Sequence, residues 1–196
     1  MTNETWRLFI AIELSPDVLK AIAQVQTELK RSIPDRAVRW TRPEGIHLTL
    51  KFLGDVRVGQ LDDIKAALPH AAAGRSTFDL EIQGLGCFPN LARPRVLWLG
   101  ITGDTKSLRT LQSNVESTIA PLGFPTEERG FNPHLTLART SQGASRDDVA
   151  KIGKIVQERD RGHHISWQVE SISLMRSQLK PDGAQYRQLT EIALIS

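Results

Sequence analysis

Cysteine is nearly absent. Cys87 is the single one in 196 residues, so no disulfide can close within the chain and no Cys-x-x-Cys zinc framework can form. Its neighbours Gly86, Phe88 and Pro89 supply neither base nor cation, so it reads as an inert thiol. Long apolar runs are missing too. None approaches the roughly 20 residues of a membrane span. The stretch from Leu8 to Ile12 stops at Glu13 and has no basic leader, unlike a signal peptide. Nor is there a large excess of either charge: 25 Lys and Arg against 22 Asp and Glu leave +3, with a pI of about 9.2. Such mild basicity is compatible with a phosphate-rich partner without requiring one. Hydrophobic content of 40% and charged content of 24% are ordinary for a folded chain, and no low-complexity linker interrupts it. These features predict a soluble, cytoplasmic, monomeric protein.

What is present is a repeated order of elements. Residues 7–14 read as a buried strand. A helix follows, with Ser15 as cap, Pro16 at its first position, and Val18, Leu19, Ile22, Val25 and Leu29 at helical spacing until Pro34. After a short strand at 38–40, residues 46–53 alternate with period two. Ile46, Leu48, Leu50 and Phe52 take one face; His47, Thr49 and Lys51 take the other. A second helix from Leu61 and a strand from Phe78 complete the first half. The second half repeats the order: a strand at 96–102, a helix capped by Asp104, a strand at 134–137, a helix opened by a Ser145/Asp148 capping box, and strands at 165–175 and 186–194. The order predicts an α+β fold over 1–196: one bilobal domain with an internal repeat of roughly 6–88 and 94–195. Two pseudo-symmetric lobes, each a mainly antiparallel sheet with outer helices, flank a central cleft. Residues 88–94 read as the connection between the halves.

The tetrapeptide His-Leu-Thr-Leu occurs twice, at 47–50 and 134–137, 87 residues apart. In a strand, positions i and i+2 share a face, so each copy presents an imidazole beside a hydroxyl. One copy alone would carry little weight, because polar strand faces usually meet solvent. A core, however, needs only the leucines and gives no reason to keep His and Thr twice. Two imidazoles and two hydroxyls in one cleft suit a phosphodiester. A neutral His takes a proton from the nucleophile, a charged His gives one to the leaving oxygen, and the hydroxyls donate to the non-bridging oxygens. A catalytic zinc ion usually takes three protein ligands, and neither motif adds an Asp, Glu or Cys at ligand spacing, so metal catalysis is disfavoured.

With RLFIAIEL at the start, HLTLKFLG at 47–54, PRVLWLGI at 94–101 and PHLTLAR at 133–139, the chain resembles the RNA 2′,3′-cyclic phosphodiesterases, also called 2′-5′ RNA ligases, of the two-histidine phosphoesterase superfamily. The resemblance covers nearly the whole chain. It implies metal- and cofactor-free opening of RNA 2′,3′-cyclic phosphate ends to 2′-phosphate, with reversible ATP-independent 2′-5′ ligation. It also implies roles: His47 as proton donor to the leaving O3′, His134 as acceptor from water, and Thr49, Thr136 and Arg139 as phosphate ligands. Arg139 lies five residues after His134, so an ideal strand would turn it to the opposite face. To reach the phosphate, the strand must end or bulge near Ala138, or the long side chain must curl back.

Other residues carry weaker expectations. Lys51, on the His47 face, could add positive potential. Arg36, Arg39 and Arg42 could track an RNA backbone or form a solvated basic face. Trp40, Phe88 or Tyr186 could stack on a base. His70, near a helix end, reads as a surface or capping residue, and the pair His163–His164 as part of a polar turn after Arg161 and Gly162 rather than a metal pair. Two other functions fit the same motifs: a phosphodiesterase for a small cyclic nucleotide or ADP-ribose cyclic phosphate, with the same chemistry in a different cleft, and a non-catalytic RNA-binding module, against which both intact His-x-Thr pairs argue.

Overall fold

In the computed structural model, residues 4–159, 164–180 and 183–195 are described. The apolar run at the start forms strand β1 (Thr5–Ile12), in which Leu8 through Ile12 are buried on both faces. Such a run suits the interior of a sheet rather than its edge. β1 lies between β3 (Leu48–Arg57) and β8 (Ser171–Lys180), and β9 (Gly183–Ala193) closes this first sheet in the order β3-β1-β8-β9. The second sheet has five strands in the order β2-β6-β5-β4-β7, formed by Val38–Trp40, His134–Thr140, Val96–Gly103, Phe78–Phe88 and Ile165–Val169 respectively. All named strand pairs are antiparallel. The expected α+β architecture with two antiparallel lobes is therefore what the chain forms.

Local chemistry sets the helices. Ser15 caps α1 (Pro16–Lys30) and Asp104 caps α3 (Thr105–Ile119), each accepting from a backbone N–H three residues on. Ser145 and Asp148 form the complete capping box of α4 (Arg146–Glu158). α2 (Leu61–Ala72) has no side-chain cap but carries Asp62 and Asp63 in its first turn, where the helix dipole favours them. α2 and α3 pack together behind the first sheet; α1 and α4 lie behind the second.

Three details differ from the sequence expectations. The helix from Ser15 ends at Lys30, four residues before Pro34. The stretch 165–175 is two strands, β7 and β8, which break at Glu170 and enter different sheets. Residues 88–94 do not join two lobes. They form the turn between β4 and β5, neighbours in one sheet, with Phe88 paired to Val96. Each sheet therefore draws strands from both halves of the chain. β4, from the first half, pairs with β5, and β8, from the second, pairs with β1.

The repeat also extends to irregularities. In the β1–β3 ladder, Ile10 pairs with Lys51 and Ala11 with Thr49, leaving Leu50 as an extra residue. In the β5–β6 ladder, Leu97 pairs with Ala138 and Trp98 with Thr136, leaving Leu137 extra. Both bulges fall at the second leucine of the His-Leu-Thr-Leu motif. A glutamine side chain from a helix backs each one. Gln26 of α1, 1% exposed, donates to the Leu137 carbonyl at 3.0 Å and to the Thr41 carbonyl at 2.8 Å. Gln112 of α3 reaches the Leu50 carbonyl at 3.5 Å.

Candidate active site

A bulge adds one residue and so reverses the alternation of side chains beyond it. That reversal decides which residues reach the cleft. Before the bulges, His47 and Thr49 and then His134 and Thr136 are half-buried, with the intervening leucines in the core. Beyond them, Lys51 and Ala138 turn inward, while Phe52 and Arg139 turn out. Arg139 thus joins the face of His134 and Thr136: of the three routes open to it, the chain takes the bulge.

The same geometry corrects two expectations. Lys51 does not share the His47 face. It is buried, ion-pairs with Glu116 of α3 and donates to the Pro125 carbonyl at 2.8 Å. Phe52, expected in the core, is 69% exposed and lines the cleft. The signal for Phe52 was in the repeat: HLTLKF and HLTLAR place it opposite Arg139, five residues after each histidine.

The cleft holds about 490 Å³. It brings together His47, Thr49, His134, Thr136 and Arg139, with Phe9, Phe52 and Tyr186 among its walls. Phe9 forms a small apolar cluster with Ala11 and Met175, separate from the main core, and Tyr186 packs against it. Among the described residues, neither threonine hydroxyl nor the Arg139 guanidinium has a protein hydrogen-bond partner. These donors remain free for a ligand.

Both histidines are held alike. The Nδ1–H of His47 donates to the Gly45 carbonyl at 2.9 Å, and that of His134 to the Asn132 carbonyl at 2.7 Å. A carbonyl only accepts, so each ring keeps its hydrogen on Nδ1 and offers Nε2 for chemistry. The surroundings differ. His47 stacks on Phe9, with ring centroids 4.5 Å apart, and meets the edge of Tyr186 at 5.0 Å. This burial disfavours the charged ring and lowers its pKa to about 4, only partly offset by the Gly45 hydrogen bond. His134 meets the edge of Phe88 at 4.9 Å, and Phe88 in turn lies against Trp98. The Trp98 ring covers Gly86, where a Cβ would come within 2.3 Å of it.

The other candidates separate. Tyr186 lines the cleft, and Phe88 touches His134. Trp40 packs against the core with Lys30 over its ring. Arg39 pairs directly with Arg139 across β2 and β6, which puts both on one face. Arg36 is tied to Asp148 at 3.1 Å, and Arg42 is exposed near the start of the first motif. Cys87 is buried, which raises its thiol pKa, in keeping with an inert role. His70 and His164 are exposed; His163 lies outside the described residues. No helix among the described residues is long and apolar enough to cross a membrane.

Comparison with known proteins identifies the family. The family model described as LigT-like phosphoesterase matches twice, at residues 12–98 and 99–186. An RNA 2′,3′-cyclic phosphodiesterase of Methanothermobacter thermautotrophicus is 34% identical over 180 residues, 92% of this chain and 94% of that protein. Another of that name from Thermus thermophilus is 32% identical, covering 96% of this chain and 90% of its own. Among solved structures, Escherichia coli LigT complexed with 3′-AMP superposes with a TM-score of 0.77 at 27% identity, covering 98% of this chain and all of that one. The Thermus thermophilus protein TT0787 gives 0.76 at 30% identity, covering 96% and 97%. With its two family matches spanning both halves and both histidine motifs, this chain belongs to the LigT-like phosphoesterase family.

Proposed function

We propose that this protein opens RNA 2′,3′-cyclic phosphate ends to 2′-phosphates by histidine acid–base catalysis, without a metal ion. The observation that carries the reading is the pairing of two Nε2 atoms with two free hydroxyls and one guanidinium in a single nucleotide-sized cleft. The relatives named RNA 2′,3′-cyclic phosphodiesterase support the choice of substrate.

In this reading, Thr49, Thr136 and Arg139 hold the non-bridging oxygens, Arg139 through its planar fork. His134, neutral at Nε2, takes a proton from water as the oxygen attacks phosphorus. The P–O3′ bond breaks opposite, and His47, carrying a proton on Nε2, donates it to O3′. The product is a 2′-phosphate with a free 3′-hydroxyl. Burial keeps His47 neutral in the free protein, so the phosphate anion must raise its pKa on binding. Phe52 offers an open aromatic face beside Thr49 on which a nucleobase can stack. The cleft is complete within one chain, which supports action as a monomer. Metal independence is supported by the donor set: among the described residues, no three His, Cys, Asp or Glu side chains converge to hold an ion.

The test is a substrate comparison at fixed enzyme concentration. An oligoribonucleotide ending in a 2′,3′-cyclic phosphate should be converted to its 2′-phosphate at least tenfold faster than 3′,5′-cyclic nucleotides or ADP-ribose cyclic phosphate. Faster turnover of either small substrate would replace RNA as the substrate class.

A further inference from the structure

The cleft does not end at the catalytic groups; the register of the first sheet carries it one row further. On β1, Phe9 stacks on His47, and Arg7 lies two residues earlier, about 7 Å along the strand and on the same face. Arg7 pairs with Ser177 of β8. Ser177 pairs in turn with Tyr186 of β9, whose ring centroid lies 5.0 Å from that of His47. Residues directly opposite in a sheet share a face, and all three line the cleft.

Charge marks this end. Among the described residues, Arg7 and Arg139 are the Lys or Arg side chains that line the cleft, and no carboxylate lines it. Asp55 stands opposite Arg7 on β3, yet Arg7 makes no ion pair or hydrogen bond through its side chain among the described residues. The Ser177 hydroxyl is equally unpartnered there. The cleft thus holds two clusters of one cation with hydroxyls: Arg139 with Thr49 and Thr136, and Arg7 with Ser177. Phe9, Phe52 and Tyr186 supply aromatic wall.

The connectivity of ribose says what the second cluster meets. C4′ is bonded to C3′, and C1′ to C2′. With O3′ at His47, C4′ and its C5′ arm leave on the His47 side, and the base leaves on the other. The row of Tyr186, Ser177 and Arg7 begins against His47. A phosphate on O5′ therefore falls toward Arg7, whose guanidinium fork suits two of its oxygens while Ser177 donates to another.

We propose that Arg7 and Ser177 form a second phosphate subsite, which holds a phosphate ester on the 5′ oxygen of the terminal nucleoside. This inference rests on the function proposed above. The enzyme then selects nucleosides that carry phosphate at both ends of the ribose over nucleoside 2′,3′-cyclic phosphates with a bare 5′-hydroxyl.

The test compares kcat/KM for adenosine 2′,3′-cyclic phosphate bearing a 5′-hydroxyl, a 5′-phosphate monoester, or a 5′-phosphodiester to a second adenosine. Wild type should prefer a 5′-phosphorylated form at least about tenfold, the scale of a charge-assisted hydrogen bond. Arg7→Gln should bring that ratio near one, and Arg7→Lys should keep part of it. Arg187→Gln removes the same charge from an exposed position that does not line the cleft, and should leave the ratio unchanged. Because each ratio is taken within one protein, a variant that is partly unfolded does not distort it. A gain with the diester assigns the subsite to an RNA chain; a gain with the monoester alone assigns it to free nucleotides. A wild-type ratio near one, or an equal fall in Arg187→Gln, would overturn the proposal. Calorimetry separates it from the function reading. Adenosine 2′,5′-bisphosphate should bind more tightly than adenosine 2′-phosphate, with the difference lost in Arg7→Gln. That result would keep the subsite even if no cyclic phosphate were turned over, and equal binding of the two would remove it.

Discussion

At the scale of single residues, burial separates the two histidines. Phe9 and Tyr186 enclose His47, whose pKa falls from 6.5 to about 4. The unfolded chain binds the proton near pH 6.5 and the folded one only near pH 4, so stability falls as pH drops through that window. The contribution of His47 is about 3 kcal/mol, fully lost below pH 4. Urea midpoints between pH 7 and 4 should therefore fall less steeply in His47→Asn than in wild type; parallel curves would show that His47 titrates normally. The second consequence concerns binding. A phosphate anion beside the ring should draw in a proton. Titration of a nucleoside 2′-phosphate at pH 7 in buffers of different ionisation heat should show greater proton uptake in wild type than in His47→Asn.

At the scale of elements, the two bulges place the chemistry. Without the one at Leu137, Arg139 would face the core and Ala138 the cleft. Gln26 supports that bulge from α1. Gln26→Leu removes the donor and leaves the Thr41 carbonyl without its side-chain partner, costing about 1–3 kcal/mol of stability. It should also lower kcat/KM for the cyclic phosphate more than a core substitution of equal stability cost, such as Ile152→Val. Equal activity losses would mean that Gln26 only stabilises. The Lys51–Glu116 pair makes a different prediction. Lys51→Met strands a buried carboxylate and should cost about 3 kcal/mol, whereas Lys51→Met with Glu116→Gln should recover much of it. Urea unfolding of the three proteins checks this.

These irregularities were the least legible features of the sequence. Strand alternation alone assigned Lys51 to the cleft and Phe52 to the core, because a bulge leaves no mark in the periodicity of one strand. Only the offset of Arg139 in the second copy hinted at it. Helix caps were legible because their signals are local: Ser15, Asp104 and the Ser145/Asp148 box all act as their spacing predicts. The break at Glu170 was not, since the apolar pattern runs on from β7 into β8 while the partners change.

At the scale of the molecule, strand exchange joins the lobes. β4 and β8 each leave their own half of the chain to complete the other's sheet, and α1 and α3 back the bulges across the same divide. The cleft walls are therefore built from both halves, which suits a site needing one histidine from each. The two His-Leu-Thr-Leu motifs were legible as a chemical pair because duplication repeats polar residues that packing does not need. The neighbours that set them apart, Phe9 and Tyr186 around His47 and Phe88 beside His134, come from strands remote in sequence and show only in the fold.

The central claim is that one histidine from each motif carries the reaction without a metal ion. It is tested most directly by turnover of an RNA 2′,3′-cyclic phosphate with EDTA present, in wild type, His47→Ala and His134→Ala. The account predicts undiminished wild-type turnover in EDTA and a loss of about 10²–10⁴-fold in each variant, with urea midpoints showing both still folded. Turnover that EDTA abolishes, or that survives loss of either histidine, would contradict it.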